Sequence, residues 1–368
     1  MKITLHTQMR DFGQMVDAIR IELDTAAPAL TPADFQCTGC YCDLGAVKPI
    51  PGVKAVAVNG NTVDLTTEPF LYRTDFAVEC VSPALRVKIT KDSADSVELF
   101  HEELFRPVVE NGVRYRLYEP ECSAPRPLIL FLHGGGGSGE DNLLQLTDTI
   151  GAIKLAERLP DMYILAPQAP AGGLTMEEMF AKMRAKGDPY KVVIGSDPDN
   201  DKNDRGWNRE YLGRVCDVIR GMIADGRVDA HRVYAIGMSM GGFGTLKAVS
   251  IAPDLFAACA PICPSMNGES YPILENFPAV PAYISTAYID HQVGRHAYLL
   301  RAVQKLWDKG RTDIRFTLFT PEELEAYGIG LTPDVSTKDL YMENHNSWIL
   351  VMHNEYGILD WMLSHRKP

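Results

Sequence analysis

The 368-residue chain lacks any uninterrupted apolar stretch of about 18 residues, the length that would cross a bilayer as a helix. Its opening, MKITLHTQMRDFGQ, has no apolar core of signal-peptide length, so a cytoplasmic location and no membrane partner are expected. Basic residues are in the minority: 36 Lys and Arg stand against 48 Asp and Glu, a formal charge of −12. Nucleic acid binding needs clustered Lys and Arg, and this balance argues against it. Eight cysteines are scattered over a chain too long for them to form a disulfide framework. Cys37, Cys40 and Cys42 are close together, but no second ligand pair stands at zinc-site spacing, so they read as thiols in a reducing compartment and no metal is expected. Also missing are internal repeats, low-complexity tracts and the phosphate-loop pattern G-x-x-x-x-G-K-[ST].

What is present is a globular composition, 46% hydrophobic and 23% charged, in a length that suggests two domains. Residues 1–105 read as β. Ile19 and Ile21 alternate with Arg20 and Glu22, and Leu85, Val87 and Ile89 with Arg86 and Lys88, which gives each strand one buried and one wet face. Val56 and Val58 lead into the turn pair Asn59-Gly60. Short strands with turns between them predict a small β-sandwich.

In the second part, residues 106–368, the period changes. Leu128–Leu132, Tyr163–Ala166, Val233–Ile236 and Ala282–Ile284 are near-continuous apolar runs, as expected of parallel strands buried on both faces. Leu212, Val215, Val218, Ile219 and Met222 stand at helix spacing between them, as do Leu299, Leu300, Val303 and Leu306. Alternating strands and helices predict an α/β fold with a mostly parallel sheet. Residues 172–206 exceed an ordinary connection and read as an insertion, a lid over the sheet's C-terminal edge. Its acidic run, Asp197, Asp199, Asp201 and Asp204, lacks the glycine and terminal glutamate of an EF-hand and reads as a solvated loop.

Four features carry chemistry. Gly237-Met238-Ser239-Met240-Gly241 is a G-x-S-x-G placed between a buried strand and a small-residue helix, which makes Ser239 the candidate nucleophile. Leu128–Leu132 ends in His133-Gly134-Gly135-Gly136, a loop of the kind that supplies an oxyanion-hole N–H. The amides of Gly135 and Met240 are the candidates, with His133 in a structural role. Acid and base follow in chain order. Asp290 is the acid in the loop after Ala282–Ala287, with a helix N-cap as its alternative reading. His291, His296, His345, His353 and His365 come later. His345, in a polar turn before an apolar helix expected over Trp348–Leu363, is preferred, and His353 is placed inside that helix. Trp207 and Trp348 lie near these loops and are candidates for the substrate pocket.

These residues resemble the esterases grouped with feruloyl esterases and polyhydroxybutyrate depolymerase-like enzymes, and the catalytic domains of prolyl-oligopeptidase-like hydrolases. The similarity covers about residues 110–368. It is carried by Asp229–Gly242, by His133-Gly134 through Gly139-Glu140-Asp141-Asn142, and by His345-Asn346-Ser347-Trp348. Two departures stand out: Ile284–Ile289 replaces the usual aromatic-His-Gly before the acid, and Asn346 stands where Asp is usual. The resemblance implies an α/β-hydrolase domain with a Ser239–His345–Asp290 triad and no cofactor, acting on a small-molecule ester. It also implies that residues 1–105 form an immunoglobulin-like domain, which is expected to serve homo-oligomerisation, lid support or carbohydrate binding. A serine peptidase and a non-catalytic binding protein on a retired hydrolase fold are the alternatives.

Overall fold

The computed structural model describes residues 1–43, 46–73, 75–121, 125–171, 206–266, 272–292, 295–330, 340–341 and 343–368. The chain divides into two compact units, Met1–Glu103 and Leu104–Pro368.

Among the described residues the first unit contains nine strands: β1 (Lys2–Arg10), β2 (Gly13–Glu22), β3 (Phe35–Asp43), β4 (Ala46–Pro49), β5 (Val53–Asn59), β6 (Thr62–Leu71), β7 (Asp75–Cys80), β8 (Val87–Ile89) and β9 (Ser96–Leu99). They form two sheets, ordered β5-β6-β2-β1-β9 and β4-β3-β7-β8. Every pairing is antiparallel except β1 with β9. The alternation read on β2 holds: Ile19 and Ile21 are fully buried, while the outward Arg20 pairs with Asp64 across the strands. Apolar residues of both sheets, among them Leu5, Ile19 and Leu65 from one and Phe76, Val78 and Ile89 from the other, share a single core. Gly60, at φ +61°, turns β5 into β6.

The second unit is built on eight strands: β10 (Phe105–Glu110), β11 (Val113–Tyr118), β12 (Arg126–Leu132), β13 (Tyr163–Pro167), β14 (Val228–Met238), β15 (Ala258–Ile262), β16 (Ala282–Ala287) and, after a two-residue β17 (His291–Gln292), β18 (Ile314–Phe319). Their order is β10-β11-β13-β12-β14-β15-β16-β18. The pairings of β11 are antiparallel, and from β13 to β18 the sheet is parallel. This is the α/β-hydrolase fold. The apolar runs of the sequence occupy its centre: Leu128–Leu132, Ile164–Ala166 and Val233–Ile236 have at most 1% of their surface exposed. Strands covered on both faces have no wet side to alternate toward.

Helices supply the cover. Arg209–Ala224 buries Leu212, Val215, Ile219 and Met222, and Arg295–Asp308 belongs to the same core through Leu299, Val303 and Leu306. One expectation is corrected. The apolar run from Trp348 does not form one helix to Leu363. It forms Trp348–Met352 and Ile358–Leu363, parted where Asn354, Tyr356 and Gly357 take positive φ. Left-handed residues cannot continue a right-handed helix, so His353 caps the first segment rather than lying inside a longer one.

After β12 the chain crosses first to β13 on one side and then to β14 on the other. That reversal is a topological switch point, and in sheets of this kind ligands bind outside the C-terminal ends of the strands at such a point. Residues 172–205, and with them the lid expectation and the acidic run, lie outside the described residues, as do the side chains of Cys40 and Cys42. Among the described residues no helix is long and apolar enough to cross a membrane, and no group of three or more His, Cys, Asp or Glu is placed to hold a metal ion.

Candidate active site

Ser239 stands between the end of β14 and the helix Met240–Ile251, at φ 56° and ψ −119°. Such a backbone persists in a non-glycine residue only where its surroundings over-determine it. Here they do. The Ser239 N–H donates to the Ile262 carbonyl at 3.0 Å, and the Ser239 carbonyl accepts from the amides of Phe243 and Ser265 at 3.1 and 3.0 Å. The flanking glycines are forced by space. A Cβ on Gly241 would lie 1.9 Å from the Leu132 carbonyl oxygen, and one on Gly237 would lie 2.4 Å from that of Gly241. The turn brings the start of the helix against the end of β12, and its first N–H groups, Met240 foremost, have no intrahelical partner.

The glycine loop after β12 passes close by. A Cβ on Gly134 would be 3.8 Å from that of Ser239. Gly135, the other amide singled out in the sequence, opens a short 3-10 turn, Gly135–Gly137, and is solvent-exposed. The loop is held from behind. His133 is 1% exposed. Its Nε2 accepts from the Ala169 amide at 2.9 Å, so the proton sits on Nδ1, which donates to the Gly134 carbonyl at 2.5 Å. Burial pushes the His133 pKa down to about 4, so the ring is neutral at physiological pH. Gln168 donates to the Gly137 carbonyl and to Asp141, and accepts from the Asn142 amide.

Trp207 belongs to this support. It is 3% exposed within the core, its Nε1 donates to the His133 carbonyl at 3.1 Å, and its ring lies 4.8 Å from that of His133. It braces the glycine loop.

Asp290 and His345 complete the centre. Asp290 follows β16 and is 1% exposed; His345 lies in the 3-10 segment Glu343–Ser347 and is 8% exposed. The His345 Nδ1 is 2.6 Å from Asp290 Oδ1, and its Nε2 is 2.7 Å from Ser239 Oγ. Since the carboxylate accepts, Nδ1 carries the proton and Nε2 is left to accept from the serine hydroxyl. The second carboxylate oxygen accepts from Thr286 Oγ1 at 3.0 Å. Asn344 donates to the Ile289 carbonyl at 2.9 Å, tying the histidine segment to the acid loop. Trp348 meets the imidazole edge-on at 5.4 Å, with its buried Nε1 unpartnered among the described residues. His353 and His365 stand elsewhere: the ring of His353 packs on Tyr327 and that of His365 on Trp361.

Two polar side chains of this centre escaped the sequence reading. Thr286 holds the acid, and Ser265 places its Oγ 3.1 Å from Ser239 Oγ. Neither belongs to a motif. Each is a short hydroxyl brought in by the end of a neighbouring strand, and only strand order would have pointed to it.

Residues 200–295 match the prolyl oligopeptidase family. The chain is 29% identical over 213 residues to a protein of Nocardia uniformis subsp. tsuyamanensis that carries the name esterase NocK; the match covers 53% of this chain and only about half, 54%, of that relative. Among solved structures, a thermostable esterase superposes over 100% of both chains with a TM-score of 0.64 and 21% identity. That likeness is one of fold.

Proposed function

We propose that the protein is a serine carboxylesterase that works through an acyl-enzyme on Ser239. The observation that carries this reading is the unbroken hydrogen-bonded line from Asp290 through His345 to Ser239, buried at its acid end and set at the C-terminal edge of an α/β-hydrolase sheet. In the reaction His345 removes the Ser239 proton as the oxygen attacks the ester carbonyl, then returns it to the departing alcohol. Asp290 keeps the proton on Nδ1 and stabilises the imidazolium. The amides of Met240 and Gly135 receive the oxyanion, and the helix start adds its positive dipole end. Water, activated by the same histidine, then releases the acid. Protein groups and water carry every step, and no cofactor enters.

The name of NocK supports the ester over other acyl bonds, as does the resemblance to feruloyl and polyhydroxybutyrate depolymerase-like esterases. We read the first unit as an immunoglobulin-like sandwich serving self-association, lid support or carbohydrate binding. A cytoplasmic location is supported by Cys37, Cys80, Cys216 and Cys259, none of which is disulfide-bonded.

A peptidase is the second reading, favoured by the match to the prolyl oligopeptidase family over 200–295. Purified protein assayed against p-nitrophenyl esters of rising acyl length and against aminoacyl-nitroanilides separates the two. Ester turnover with little anilide turnover supports the carboxylesterase. Anilide turnover alone moves the protein to the peptidases.

A further inference from the structure

Ser265 is 1% exposed, and its Oγ stands 3.1 Å from Ser239 Oγ. The direction of this hydrogen bond is fixed by the rest of the centre. His345 Nδ1 gives its proton to Asp290, so Nε2 accepts, and Ser239 has one hydroxyl proton, which goes to Nε2. Toward Ser265 the Ser239 oxygen can then only accept. The donor is the Ser265 hydroxyl.

The placement is strongly constrained. Cys263, at φ +36°, begins a turn through Pro264 that brings Ser265 back over the nucleophile. Two backbone bonds secure it: the Ser239 N–H to the Ile262 carbonyl, and the Ser265 N–H to the Ser239 carbonyl. On the inner side there is no slack, since a Cβ on Gly242 would lie 2.4 Å from the Ile262 carbonyl oxygen. A non-glycine residue held at positive φ beside a nucleophile is the kind of strain that surrounding structure must maintain.

We propose that Ser265 is a fourth catalytic residue, a hydroxyl donor to the nucleophile oxygen itself. It does two things. It fixes the Ser239 hydroxyl in the rotamer that points at His345. It also gives a hydrogen bond that strengthens whenever charge gathers on Oγ, during attack on the carbonyl and again when Oγ leaves the acyl-enzyme. No proton is transferred from Ser265; the His345 relay is unchanged. This inference rests on the reading of Ser239 as nucleophile.

The test compares the parent with Ser265→Ala and Ser265→Thr in p-nitrophenyl ester turnover and in the rate at which a fluorophosphonate labels Ser239. Ser265→Ala keeps both backbone bonds and removes only the donor. Its kcat and its labelling rate are expected to fall about three- to tenfold, with KM within twofold of the parent, since one donor to a partly charged oxygen is lost. Ser265→Thr, which keeps the donor, is expected to retain at least half of both rates. If Thr lowers the thermal midpoint, Ser265→Cys takes its place, with rates between parent and Ala. The proposal is overturned if Ser265→Ala matches the parent within twofold in both rates, if the loss appears in KM alone, or if a stably folded donor-bearing variant is as impaired as Ala. Labelling keeps the two readings apart. A parent that turns over no ester yet is labelled at Ser239, more slowly in Ser265→Ala, contradicts the ester substrate and leaves Ser265 standing. A parent neither labelled nor active contradicts both.

Discussion

His345 reaches Ser239 across 106 positions of sequence, with Nε2 2.7 Å from Oγ. Nothing local produces this pair. The serine is delivered by β14 and the turn after it, the histidine by the segment after the last strand of the sheet, and both arrive at the same edge because parallel strands point their C-terminal ends one way.

In the proposed mechanism Asp290 is what makes that pair chemically useful. Asp290→Asn keeps the side-chain volume at a site 1% exposed but offers Nδ1 a donor where it needs an acceptor. The expected result is a fall in kcat of about 10³- to 10⁴-fold, with KM and the thermal midpoint near those of the parent. Steady-state kinetics on a p-nitrophenyl ester checks this, and a loss under tenfold would remove Asp290 from the triad.

Thr286 contributes less. Thr286→Val preserves shape and takes away the hydrogen bond to Asp290 Oδ2. A fall in kcat of about three- to tenfold is expected, the size of one ordinary hydrogen bond. An unchanged kcat would mean that other groups around Asp290 suffice to hold it.

Two glycine substitutions are expected to move stability in opposite directions. Gly241→Ala forces a Cβ to within 1.9 Å of a backbone oxygen, and a loss of more than about 3 kcal/mol, or failure to fold, is expected. Gly213→Ala, inside the Arg209–Ala224 helix with open space at its Cβ position, is expected to add about 0.5–1 kcal/mol by removing chain entropy from the unfolded state. Denaturation midpoints of the two variants decide both.

His133 ties stability to pH. In the folded chain its pKa is pushed down to about 4 from the ordinary 6.5 by burial. Between those values the unfolded chain binds a proton that the folded chain refuses, so stability is fully present above about 6.5 and falls as pH drops toward 4. The full loss is about 3 kcal/mol. In His133→Asn this dependence is absent, although the variant is weaker overall for want of the Ala169 hydrogen bond. Unfolding midpoints at pH 7.5 and 4.5 are expected to show the gap between parent and variant narrowing at the lower pH. A constant gap contradicts the assignment.

Much of this architecture was legible in the sequence, and the reasons are physical. A strand buried on both faces must be apolar throughout, so β12, β13 and β14 announced themselves. The nucleophile turn admits only glycine where Gly237 and Gly241 face backbone oxygens, which leaves a motif in the chain. Chain order then pointed to Asp290 and His345. Residues whose roles depend on neighbours distant in sequence were not legible. Ser265 and Thr286 look like any other hydroxyls until β15 and β16 are placed beside β14. Trp207 was legible as a residue near the site, but not its hydrogen bond to the His133 carbonyl from within the core. The break after Met352 was hidden because apolar spacing continues across it, while the conformations that end the helix belong to Asn354, Tyr356 and Gly357.

Whether Ser239 is the nucleophile is decided by turnover of a p-nitrophenyl ester by the parent and by Ser239→Ala, purified and assayed side by side with thermal midpoints matched. The parent is expected to hydrolyse the ester and the variant to lose about 10⁴-fold or more in kcat. A variant that hydrolyses the ester as fast as the parent would contradict that role for Ser239, because the Ser239–His345–Asp290 line would then not be where the reaction takes place.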